Sequence, residues 1–253
     1  MSIPKSKESL NKHKENAMKS IENYIDTLIH SDDMKTQGKA DKLCYWFEDY
    51  IKFLNLESSF DSSKYPKFKK GQIIKAHLGF NIGSEEGGLH YAIVIENNSV
   101  RSPTLNIVPL TSVKNTTDVS NIRSDLGCIF LGNELYRLLD TKVRTLQANV
   151  NQELEDLTAM IATLEQHSPD IPKVRERLDK CKAKIELYPK LKKEISKMKA
   201  GSIALVRQIT TISKIRIYGP KNSQDVLGGI RMSNETMDKI DNAIKTLFTK
   251  NTE

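Results

Sequence analysis

The chain has 253 residues, 38% hydrophobic and 28% charged, which suits a globular protein of one or two domains. No apolar run approaches the ~20 residues that cross a bilayer, and the opening from Met1 to Asn16 is too polar for a secretory signal, so a soluble cytoplasmic protein without membrane contact is expected. The net charge of +7 and pI near 9.1 point to nucleic acid or another polyanion as partner.

In chain order, the first region, residues 1–65, reads as helical. Ala17, Ile21, Tyr24 and Leu28 form one apolar stripe, and Ser31-Asp32-Asp33 interrupts it with capping residues. A second helix would carry Leu43, Trp46, Phe47, Tyr50, Ile51 and Leu54, whose helical spacing predicts core packing rather than a base-stacking platform. From Phe68 to Leu131 the pattern turns to short apolar runs around Gln72–Leu78, His90–Ile95, Leu105–Leu110 and Gly127–Leu131, separated by Gly, Asn, Ser and Asp. Several strands without intervening helices predict a barrel or sandwich.

From residue 133 to 199 the helical period returns. Val143, Leu146, Val150, Leu157, Met160 and Leu164 take heptad positions, with Glu153 the misfit. A second stripe runs through Val174, Leu178, Cys181, Ile185, Tyr188 and Ile195. The segment from His167 to Pro172 has the composition of a turn, so the two stripes predict an antiparallel coiled-coil hairpin, each arm reaching about 40 Å at 1.5 Å per residue. Between Pro172 and Ala200, eleven Lys or Arg face four acids, an excess equal to the net charge of the whole chain. Two further strands are expected over Ser202–Ile209 and Thr211–Ile217, then a helix capped by Ser233 with Met237, Ile240, Ile244 and Leu247 on one side. Strands on both sides of the hairpin suggest one barrel, residues 66–132 and 200–253, with residues 133–199 inserted in a loop.

The chemistry concentrates in Gly83-Ser84-Glu85-Glu86-Gly87-Gly88-Leu89-His90, a glycine-rich loop between two strands. It brings a carboxylate and an imidazole to the barrel edge, with backbone free to approach a ligand. Cys44, Cys128 and Cys181 are far apart and fit no metal-ligand spacing, so reduced thiols and no metal or cofactor are expected.

These motifs resemble the PemK/MazF family of toxin endoribonucleases. The family's Gly-Ser-Glu-Gln-x-Gly-x-Arg-Pro loop is matched by Gly83 to Tyr91, and its threonine-ended strand by Ile107-Val108-Pro109-Leu110-Thr111. Its Gln-Ile-Arg-Thr-Ile-Asp-Lys-x-Arg-Leu run is matched by Gln208 to Ile217, and its terminal helix by Ser233 to Phe248. The resemblance implies an α+β protein with an SH3-like small β-barrel, extended here by the N-terminal helical region and the inserted hairpin. It implies metal-independent cleavage of single-stranded RNA, an antitoxin partner and a homodimer, in a toxin-antitoxin or phage-defence setting.

In the family an arginine after the loop and the strand-end threonine are the catalytic pair. Thr111 matches, whereas His90 stands at the arginine position. A histidine there either exchanges the proton itself or marks a barrel that binds RNA without cutting it. Glu85 joins His90 and Thr111 as a catalytic candidate. Ser84, Arg207, Gln208, Lys214 and Arg216 are candidates for RNA contact, the arginines through bidentate phosphate bonds. Thr210 and Ser213 replace the family's Arg and Asp in the last run. A third reading gives the helices mainly a scaffolding role toward a partner.

Overall fold

Ser6 and Asp33 start the first two helices by accepting hydrogen bonds from backbone N–H groups of the first turn, Ser9 for the former and Lys35 and Thr36 for the latter. The computed structural model, which describes residues 6–114, 116, 118–163, 170–222 and 225–249, forms them as α1 (Lys7–Ile29) and α2 (Met34–Glu57). The chain divides into two compact units: Met1–Phe60 with Gly79–Gly83, and Asp61–Leu78 with Ser84–Glu253.

In the first unit, Leu28, Ala40 and Leu43 form a small core, with Ile25, Trp46, Phe47 and Phe80 packed against it. The expectation that the aromatic stripe of α2 is core needs correcting. Trp46 stacks on Tyr50 with ring centroids 5.5 Å apart, yet Tyr50, Ile51 and Leu54 are exposed. Two paired helices bury only the seam along which they meet.

The second unit contains one antiparallel sheet. Its strands are β1 (Ile73–His77), β2 (Leu89–Val94), β3 (Thr104–Ser112), β4 (Cys128–Phe130), β5 (Ser202–Leu205), β6 (Thr210–Ser213) and β7 (Ile217–Gly219). They lie in the order β4-β5-β3-β2-β1-β7, and β6 pairs with β3 off that path. The long β3 pairs with β6 along Thr104–Ile107 and with β5 along Leu110–Ser112. The two strands expected after the hairpin are in fact three, because 3₁₀ turns over Val206–Gln208 and Lys214–Arg216 break them. The first break carries the chain from one end of β3 to the other, and after the second it pairs with β1 instead of β3. Among the described residues no ladder joins β6 to β7, so the sheet is open rather than a closed barrel.

Alternation gives the sheet two buried faces. Ile74, Ala76, Ala92, Val94, Leu105 and Ile107 pack with Phe68, Ile212 and Ile217. Ile73, Ile93, Val108 and Leu110 belong to a larger cluster with α3 (Glu134–Thr163), α4 (Ile171–Ser196) and α5 (Asn234–Phe248). Leu135, Leu139, Val143 and Ile195 are in that cluster and at most 2% exposed, so the root of the α3–α4 pair is part of the sheet's own core. Each such side chain contributes about 1.5–3 kcal/mol by leaving water.

The arms of this pair run antiparallel. Arg177 donates to Glu153 at 3.0 Å, Tyr188 Oη to the Leu146 carbonyl at 3.1 Å and Lys192 to Gln147 at 2.8 Å, so the later part of α4 meets an earlier part of α3. Val143, Val150 and Leu157 on one arm, and Val174, Cys181, Tyr188 and Ile195 on the other, are buried at seven-residue intervals. Glu153, the misfit in the stripe, is answered by Arg177 and by the Cys181 thiol. The predicted turn at His167-Ser168-Pro169, with Leu164, lies outside the described residues. No described helix is long and apolar enough to cross a membrane.

Candidate functional site

The β1–β2 hairpin sets the level of the site. Ala76 pairs with His90 on one side and with Ile217 of β7 on the other. The loop between the strands closes where the Leu78 N–H donates to the Gly88 carbonyl at 2.7 Å. Gly88 has φ +84°, a left-handed conformation that a residue with Cβ adopts only under strain. On the next strand, the Ala92↔Pro109 register carried two residues further brings His90 to the level of Thr111.

His90 lies between two acceptors. Its Nδ1 is 3.2 Å from the Leu110 carbonyl oxygen and its Nε2 is 3.0 Å from Glu86 Oε1. A carbonyl and a carboxylate only accept, so both ring nitrogens are placed to donate, which describes an imidazolium. The Glu86 hydrogen bond accordingly raises the histidine's pKa above its usual value. Burial opposes the rise, and the Glu86 charge and the Leu110 and Gly87 backbone groups add to it. The pair remains reachable, with side chains 27% and 22% exposed.

Gln208, from the 3₁₀ turn after β5, holds this loop. Its Oε1 accepts from the Glu86 N–H at 2.6 Å, and its Nε2 donates to the Ser84 carbonyl at 3.2 Å. Loop, imidazole, threonine strand and glutamine therefore converge on one sheet edge. Among the described residues no group of three or more His, Cys, Asp or Glu is placed to hold a metal ion.

Residues 69–181 match the PemK-like, MazF-like toxins of type II toxin-antitoxin systems. The resemblance read from the loop is thus shown over that stretch, and a toxin endoribonuclease is the activity it suggests. No curated protein matches the chain. The PemK-like stretch includes the glycine loop, His90 and Thr111, and it runs on through α3 into α4. It ends before β5, β6, β7 and α5, so Arg207, Gln208, Lys214 and Arg216 lie outside it.

Of the remaining candidates, Ser84 and Glu85 are exposed on the loop, and it is Glu86 that meets the imidazole of the PemK-like stretch. Arg216 donates from Nε to the His77 carbonyl at 2.8 Å, one residue along β1 from the Ala76↔His90 pair. Arg207 points elsewhere, donating to the Asp125 carbonyl at 3.2 Å with its stem against Gly127. Lys214 is withdrawn altogether: it is fully buried, its ammonium donates to the Ser99 carbonyl at 2.9 Å, and burial lowers its pKa. A cation without exposed surface does not meet a phosphate, so the expected RNA contact at Lys214 is corrected. Sequence reasoning missed Glu86 and the clamping role of Gln208. The four-residue step from Glu86 to His90 was the available signal for the first, whereas nothing local announces the second.

Proposed function

We propose that this chain is an endoribonuclease toxin, cytoplasmic, dimeric and neutralised by an antitoxin, acting in a toxin-antitoxin or phage-defence setting. The observation that carries this reading is the histidine held between Glu86 and the Leu110 carbonyl where the family has arginine. A histidine kept protonated supplies the same positive charge as arginine and, unlike it, has a proton to give near neutrality.

In this reading the 2′-hydroxyl attacks the adjacent phosphorus and loses its proton to Glu85. With substrate in place the His90 Nε2–H turns from Glu86 toward the phosphorane oxygens, and the Thr111 hydroxyl donates to them beside it. His90 then passes its proton to the departing 5′-oxygen, leaving a 2′,3′-cyclic phosphate and a 5′-hydroxyl. Ser84 and Arg216 contact the strand beside the reacting phosphate, and Arg207 contacts it farther along. Gln208 holds the loop in place and touches RNA only through its edge.

The sheet supports an SH3-like barrel in the family's sense. Ser213 pairs with one side of the sheet and Ile217 with the other. Four residue steps span at most about 14 Å, whereas four strand spacings in a flat sheet are about 19 Å, so the sheet must curl. The α3–α4 pair, with its seven-residue spacing, is read as a coiled coil.

The test is expression in bacteria together with an assay on a labelled single-stranded RNA. Growth arrest and defined cuts are expected, both relieved by His90→Ala. RNA bound tightly but never cut would replace this reading with a noncatalytic RNA-binding module.

A further inference from the structure

Six of the eleven cations between Pro172 and Ala200 fall into two groups. Along the arms several are answered locally: Arg177 by Glu153 at 3.0 Å, Lys180 by Glu176 at 2.6 Å, Lys173 by Asp170 at 3.6 Å and Lys192 by Gln147 at 2.8 Å. Three of these partners are carboxylates and Gln147 is a neutral amide, so three of the eleven cations are paired with an acid along the arms.

At the root of the pair, lysines from just past the ends of α4 and of β3 come together. There a groove of about 700 Å³ is lined by Lys114, Lys197 and Lys199 together with Ser112 and Ser196. No carboxylate and no aromatic ring is among the described residues that line it. Its floor is tied to the sheet, since Ser112 pairs with Ser202 and the Val113 N–H donates to the Gly201 carbonyl at 3.0 Å. Ser112 follows Thr111 directly on β3, and at ~3.3 Å per residue Lys114 is about 10 Å from the threonine.

We propose that this groove is a phosphate-binding subsite for the RNA strand leaving the reaction centre. The inference rests on the endoribonuclease reading above and adds where the strand goes. Ammonium and hydroxyl groups donate hydrogen bonds to phosphate oxygens, and a groove whose described lining carries three ammonium groups and no carboxylate favours a polyanion. With no aromatic ring among its described lining residues to stack a base, the groove holds backbone and reads no sequence. The hairpin's contribution to binding is therefore made at its root, and the arms add little.

The probe is a fluorescent 2′-O-methyl oligonucleotide, which binds but has no 2′-hydroxyl to react, titrated at several salt concentrations against the full chain. Replacing Lys114, Lys197 and Lys199 together by Gln should weaken binding about tenfold to a hundredfold near 0.1 M salt, and lower the salt slope by about 2. The same replacement at Lys173, Lys180 and Lys182 on the arm should leave affinity within about twofold and the slope unchanged. If the groove variant behaves like the arm variant, or if the arm variant shows the larger loss, the subsite is wrong. An unchanged RNA slope with lost antitoxin binding would overturn it in favour of an acidic protein partner. Should the triple variant not fold, the three single replacements carry the test, each expected to lower the slope by about 0.7. Because the probe cannot be cut, a protein that binds it through these lysines yet cleaves no RNA would sink the nuclease reading and leave the groove standing.

Discussion

Glu86 Oε1 lies 3.0 Å from His90 Nε2, while Nδ1 of the same ring faces the Leu110 carbonyl. A single imidazole thus joins the glycine loop to the strand that ends in Thr111, and its charge depends on the partner four residues before it.

Glu86→Gln should lower the pKa of His90 toward or below its ordinary value near 6.5. Because the folded value is raised in the native protein, the stability from this pair is fully present below pH 6.5 and is lost as pH rises through the folded value. The stability difference between native protein and variant should therefore be largest on the acid side of 6.5 and fade above it, as measured by denaturation over a pH series. Cleavage that needs the imidazolium should decline at lower pH in the variant. An NMR titration of the His90 ring that shows the same midpoint in both proteins would refute the coupling.

His90→Ala and Thr111→Ala should each slow cleavage by at least ~100-fold, the low end for losing an acid-base group or a charge-stabilising donor. Affinity for RNA should change far less, since phosphate contacts dominate binding. Folded variants that cut at near-normal rates would move the chemistry away from this strand end.

Proton transfer in the proposed reaction uses side chains, so cleavage should proceed unchanged in EDTA. A substrate with 2′-deoxyribose at the scissile position should resist cutting. Equal rates on the two substrates would exclude attack by the 2′-hydroxyl.

Gly201→Ala should destabilise the protein by about 2 kcal/mol or more, read as a shift of the urea midpoint with unchanged slope. Gly201 has φ +127°, and a Cβ there would lie 2.5 Å from Phe130 Cε2 and 3.0 Å from the Gly132 carbonyl oxygen. A neutral substitution would mean that the junction between hairpin and β5 is looser than this packing implies.

Local signals were legible where the physics is local. Asp33 and Ser233 cap helices as their sequence context predicts, because a side-chain acceptor before a first turn is answered within three residues. The glycine loop and its histidine were legible through resemblance. What stayed hidden depends on residues distant in the chain. Glu85 and Glu86 are chemically equivalent neighbours, and only the fold of the loop decides which one meets His90.

Lys214 shows the same limit. Ile212 and Ile217 pack into the same buried face although an odd step separates them, which an unbroken strand does not allow. The 3₁₀ turn over Lys214–Arg216 supplies the phase change and leaves the lysine on the inner side with Phe68.

The seven-residue interval of buried positions on α3 and α4 constrains how this protein can vary in evolution. Val143 and Ile195, at the root, are fixed by the sheet, while Val150, Leu157, Cys181 and Val174 repeat outward from them. Lengthening or shortening that keeps the buried seam in phase must add or remove seven residues from each arm together, a step of about 10 Å in reach. Any other change in one arm alone would rotate polar residues into the seam and pull at the anchored root. Hairpins in related chains should therefore differ in length by whole repeats, and their tips should be far freer to vary than the ends that meet the sheet.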